Sequence, residues 1–66
     1  MNIDEPNAAK RLNTIREAAH LLNLSADTVR RMIAKGELPA VRLRRTVRVD
    51  PRDLERLIQN NRETLR

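Results

Sequence analysis

The densest run of recognition chemistry is Ser25-Ala26-Asp27-Thr28-Val29-Arg30-Arg31-Met32-Ile33-Ala34-Lys35, closed by Gly36. Val29, Met32 and Ile33 fall at i, i+3 and i+4, which makes one apolar stripe on a helix. The opposite side is left to Ala26, Asp27, Thr28, Arg30, Arg31 and Lys35. Ser25 is a good N-cap, because its hydroxyl can accept from a free N–H of the first turn. Gly36, the only glycine in the chain, stands where a left-handed residue is needed to stop the helix. A helix of about three turns with one hydrogen-bonding and cationic side has the dimensions to lie in a DNA major groove. Any short surface helix also has a polar side, so what flanks this one decides between the two readings.

The charge supplies the first flanking observation. Among 66 residues there are 14 Lys and Arg against 9 Asp and Glu, a net charge of +5. Twelve of the 14 cations are arginine, whose planar fork suits phosphates and guanine edges better than a lysine point charge. The excess is concentrated: residues 40–49 carry +4, whereas 25–39 carry +1 and 50–66 carry none. Four arginines, Arg42, Arg44, Arg45 and Arg48, with no acid among them, read as a patch for a polyanion rather than as a solubility device. The chain has no Phe, Tyr or Trp, which argues against single-strand binding by base stacking.

Other classes of chemistry find little support. There is no cysteine and a single histidine, His20, so a thiolate or histidine metal site is not expected, nor a cofactor. Nothing assembles a nucleophile with a base, and no catalytic residue or enzyme activity is expected. No apolar run approaches the roughly 20 residues of a membrane span, and no signal-peptide pattern opens the chain. A soluble protein of the cytoplasm, without a membrane partner, is the default expectation.

The elements that position these residues follow from caps and periodicity. Residues 1–11 are polar and aperiodic, with Pro6, and read as a flexible N-terminal arm. Thr14-Ile15-Arg16-Glu17 has the capping-box form. Ile15, Ala18, Ala19 and Leu22 then repeat at helical spacing, and the two alanines permit close approach of a second helix. Asn23 suits the left-handed position after the helix, with Leu24 packing back as its apolar partner. Only those two residues precede the Ser25 cap. So short a connection favours a helix-turn-helix crossing over an ordinary helical hairpin.

After Gly36, Pro39 blocks helix continuation and biases Leu38 to extended geometry. Val41 and Leu43 alternate with Arg42, and Val47 and Val49 with Arg48, on either side of a polar tip at Arg44-Arg45-Thr46. That predicts a two-stranded hairpin with valines and leucine toward the helices and arginines outward. Asp50-Pro51 starts a last helix, whose Leu54, Leu57 and Ile58 should close the core. Residues 12–60 are therefore expected to form one domain, mainly α with a small β-hairpin, a winged helix-turn-helix. Residues 61–66, including Leu65, read as a C-terminal tail.

Thr14-Ile15-Arg16-Glu17-Ala18-Ala19, Leu21-Leu22-Asn23-Leu24-Ser25, Thr28-Val29, Gly36-Glu37-Leu38-Pro39-Ala40-Val41 and Asp53-Leu54 together resemble the excisionase family, small DNA-binding proteins with a MerR-like winged helix. The resemblance runs from Leu12 to about Ile58. It implies that the second helix enters the major groove, with Ser25, Thr28 and Arg31 on phosphates and Ala26, Asp27 and Arg30 toward base edges. Lys35 belongs to the same surface, and Arg42, Arg44, Arg45, Thr46 and Arg48 to the wing. The chain departs from the family where Arg44-Arg45 replaces a common glycine and Val47 an aromatic residue. The resemblance further implies an architectural role in phage or integrative-element recombination. In that role the protein binds and bends attachment-site double-stranded DNA, self-associates cooperatively and steers a tyrosine integrase toward excision. A small transcriptional regulator of the same fold, and a protein-interaction module with a basic surface, are the alternatives.

Overall fold

The computed structural model describes residues 12–64. The arm expected over residues 1–11, and Leu65 with the end of the expected tail, lie outside the described residues. In chain order the elements are β1 (Asn13–Thr14), α1 (Ile15–Leu22), α2 (Ala26–Ala34), β2 (Val41–Leu43), β3 (Thr46–Val49) and α3 (Pro51–Asn60). Three helices with a small antiparallel sheet make a winged helix-turn-helix, mainly α, as the residue pattern predicts.

Each helix starts where its cap chemistry places it. The Thr14 hydroxyl accepts from the Glu17 N–H at 2.9 Å, while the Thr14 N–H donates to Glu17 Oε1 at 2.8 Å. Ser25 Oγ accepts from the Thr28 N–H at 3.1 Å. Asp50 Oδ1 accepts from the Arg52 N–H at 2.8 Å, with Pro51 in the first helical turn. Each cap satisfies an N–H that the helix itself cannot.

The first two helices also end alike. Asn23 takes φ +58 and Gly36 φ +79. In each case the next N–H reaches back to a carbonyl five residues earlier, Leu24 to Ala19 and Glu37 to Met32, both at 2.8 Å. This is the Schellman closure, and it needs a left-handed residue at the turn. Between α1 and α2 it reverses the chain within three residues.

The core is small: Ala18 and Ala19 from α1, Val29 from α2, Leu38 from the connection, Val49 from β3 and Leu54 from α3. The alanines let α1 and α2 approach closely, and Val29 fills the space between them with no exposure. Leu38, read from the sequence only as an extended residue before Pro39, is the largest of the fully buried side chains. Burial of one such side chain contributes about 1.5–3 kcal/mol, so Leu38 anchors the hairpin's root to the helices.

The structure corrects several expectations of packing. The sheet has three strands rather than two, in the order β1-β3-β2. Asn13 and Thr14 pair with Val49 and Arg48, so Thr14 both ends a strand and caps α1. Leu24 is 42% exposed rather than packed back, and Ile58 is 40% exposed, leaving Leu54 and the half-buried Leu57 to hold α3. Ala26, expected on the polar side of α2, is half-buried and packs against the core cluster.

The largest correction concerns the wing. Thr46 lies within β3, so the connecting loop is Arg44-Arg45 alone. The register then pairs Val41 with Arg48, Arg42 with Val47 and Leu43 with Thr46. Directly opposed residues share a face. Because Val49 is buried, the inner face is that of Val47, Val49 and Arg42, and the outer face carries Val41, Leu43, Thr46 and Arg48. Leu43 is accordingly 49% exposed. The expected sorting of apolar residues inward and arginines outward therefore fails on β2, for both the valine and the leucine.

Candidate nucleic-acid interface

The surface of α2 away from the core is made by Asp27, Arg30, Arg31 and Lys35, all exposed, with Thr28 half-buried at its N-terminal edge. Ser25 and Thr28 share a hydroxyl–hydroxyl hydrogen bond of 2.9 Å besides the cap bond. One of the two hydroxyl protons is used in that bond, and the other is left for an acceptor outside the chain. Asp27 Oδ1 accepts from Arg30 Nη1 at 3.4 Å, with both side chains mostly in solvent. Such a pair contributes little to stability. Its effect is to bias Arg30 along the helix toward the N-terminal turn.

The cations divide sharply by what they touch. On α3, Arg52 is held by Asp50 at 2.7 Å, Arg56 by Asp53 at 3.1 Å and Arg62, just beyond it, by Gln59 at 3.0 Å. The guanidinium and the N–H of Arg52 together hold the Asp50 carboxyl down to about 2 from its usual 3.8, and Asp50 in turn raises the Arg52 guanidinium. Arg48, half-buried in the central strand, donates to the Val47 carbonyl at 3.0 Å. By contrast Arg31, Lys35, Arg42, Arg44 and Arg45 have no hydrogen-bonded or ion-paired side-chain partner among the described residues. These free cations lie on α2, on β2 and at the wing tip.

The register gives the wing arginines different settings. Arg42, on the inner face, lines a shallow crease with Ile33 and Gly36 of the α2 end and with Leu38 and Val47. It therefore lies beside the C-terminal end of α2. Arg44 and Arg45 occupy the apex, closed by a 2.7 Å bond from the Thr46 hydroxyl to the Leu43 carbonyl. Arg48 stands on the outer face between Thr14 and Val41.

The sequence-predicted residues thus divide into an exposed set and two departures. Asp27, Arg30, Arg31, Lys35, Arg42, Arg44 and Arg45 are exposed, whereas Ala26 faces the core and Arg48 is built into the sheet. Arg16, exposed on α1, is a further cation without a side-chain partner among the described residues, and the motifs did not single it out as a contact. Its position opposite the Ile15–Leu22 stripe was the available signal. Among the described residues no cluster of His, Asp or Glu could hold a metal ion, and no helix is long and apolar enough to cross a membrane.

Comparison with known proteins agrees with this architecture. The chain is similar to the Putative DNA-binding protein Rv0500A of Mycobacterium tuberculosis strain H37Rv, and to its counterpart MT0521 in strain CDC 1551. Each is 34% identical over 59 residues, covering 89% of this chain and 76% of the relative. The family model described as "Helix-turn-helix domain" matches residues 14–62, from the α1 cap to just past α3. The chain therefore belongs to the helix-turn-helix domain family.

Proposed function

We propose that this chain is a sequence-specific double-stranded DNA-binding protein that acts as an excisionase, binding and bending attachment-site DNA to promote integrase-mediated excision. The observation that carries the DNA-binding part is the segregation of cations. Arg52 and Arg56 of α3 are paired with Asp50 and Asp53, while Arg31, Lys35, Arg42, Arg44 and Arg45, at α2 and the wing, have no side-chain partner among the described residues. In this reading α2 enters the major groove, where Arg30 and Asp27 meet base edges and Arg31, Lys35 and the Ser25–Thr28 pair meet phosphates. Arg42 and the wing tip grip the backbone and the neighbouring minor groove. The protein works in the cytoplasm of a bacterial or phage-infected cell, on its DNA.

The excision role is supported by the resemblance over Thr14–Ala19, Asn23–Ser25 and Gly36–Val41. Bending a short site by 40–90° costs on the order of 1–6 kcal/mol, which adjacent protomers binding cooperatively would offset. The names of the relatives specify DNA binding without recombination, which equally fits a transcriptional regulator. Footprinting on DNA around the gene, followed by an excision assay with a neighbouring tyrosine integrase, separates the two. Protection of attachment-site DNA with stimulated excision is expected. Protection of a promoter alone, with no effect on excision, would replace the excisionase reading with the regulator.

A further inference from the structure

Arg44 is the first of the two loop residues of the wing and has φ +59, whereas Arg45 does not have a positive φ. A positive φ at the first loop position alone is the pattern of the hairpin turn that favours glycine there. An L side chain in this region crowds its own carbonyl, so arginine is a strained choice. Arg44 is exposed and has no hydrogen-bonded or ion-paired side-chain partner among the described residues. Strain retained without an internal contact points to a contact made outside the chain.

The surroundings say what kind of contact. Between Glu37 and Asp50 there is no acid, and the Thr46–Leu43 bond pinches the ribbon so that two residues form its whole apex. The exposed Arg44 and Arg45 therefore stand together at the front of a narrow ribbon, with Arg44 the strained one of the two. The narrowed minor groove of A·T-rich DNA concentrates negative potential, and the weakly hydrated guanidinium is the group best suited to enter it. We infer that Arg44 is a specificity-determining residue that reads minor-groove width, favouring A·T-rich sequence beside the site contacted by α2. This rests on the DNA-binding reading and adds a base preference at positions α2 does not touch.

The test combines stability with binding. A duplex recovered by selection with the wild-type chain is prepared with A·T, G·C or I·C pairs in the segment flanking the α2 site. Inosine presents the minor groove of an A·T pair and the major groove of a G·C pair, so it isolates the minor groove. Wild type should bind the A·T and I·C duplexes about tenfold more tightly than the G·C duplex. Arg44→Gly should raise Tm by a few degrees while abolishing that preference. Arg44→Asn, which tolerates a positive φ without a charge, should behave alike, and Arg44→Lys should keep part of the affinity. Equal losses on all three duplexes would mean a plain phosphate contact and overturn the inference, as would unchanged binding or a lowered Tm in Arg44→Gly. If the wild-type chain binds no duplex at all, it is the DNA-binding reading itself that fails.

Discussion

Helix α2 and the β2–β3 wing both carry exposed cations, yet they hold them by opposite means. On α2 the backbone satisfies itself, and Val29 fixes the rotation of the helix by entering the core. The side-chain directions then follow from a period of 3.6 residues. The wing has no such anchor along its length: only Val49, at the end of β3, is fully buried. Its side-chain directions depend on how many residues the loop contains. A three-residue loop at Arg44-Arg45-Thr46 would set Leu43 opposite Val47 and align the apolar residues. The two-residue loop shifts the pairing by one, so Val41 meets Arg48 and Leu43 meets Thr46. A slip of one residue turns every side chain of a strand to the other face.

If the wing hangs from the core through its root, the largest expected effect comes from Leu38. Leu38→Ala should cost about 2–5 kcal/mol and lower the Tm of the whole domain, read by circular dichroism. A wing that melts while the helices keep their thermal transition would show instead that the two regions are independent.

The second comparison is between kinds of binding. Arg30→Ala should remove about 1–3 kcal/mol of discrimination between a selected duplex and random DNA. Arg42→Ala combined with Arg45→Ala should instead weaken binding to all duplexes, flattening the salt dependence by up to about two units. Titrations at several salt concentrations read both. Identical behaviour of the two variants would erase the division between a reading helix and a gripping wing.

A smaller effect tests the helix ends against the wing tip. Gly36→Ala should destabilise by about 1 kcal/mol through backbone strain alone, because an added Cβ meets nothing within 4 Å. Its sign is opposite to that expected of Arg44→Gly. Denaturant midpoints at constant m-value measure it.

The smallest effect concerns the α3 cap. Asp50 titrates at about 2 in the folded chain against 3.8 ordinarily, so its contribution is complete above 3.8 and disappears as pH falls through 2. Tm followed from pH 5 to pH 2 should fall less steeply in Asp50→Asn than in the wild type. Parallel curves would mean that the Arg52 contacts do not support the cap.

Most of the helical half was legible beforehand. Thr14, Ser25 and Asp50 announce their helices because a side-chain oxygen at a helix start has one local use, and Asn23 and Gly36 announce the ends. The misreadings share a different cause. Ala26 was assigned by its place in a wheel with a small residue on the boundary, where only the neighbouring helix decides the face. Leu38 before proline has the look of a connector, and nothing local reveals that the loop folds back over Val29. β1, two residues long, has no period to detect.

What the chain determined by itself, then, is whatever is settled within one helical turn: caps, ends, the α2 stripe and the store of unneutralised arginine. Tertiary structure alone decided the register of the wing, the third strand and the burial of Leu38. Those depend on pairing between distant segments, where alternation fits either face equally well and only the loop length and the shared core select one.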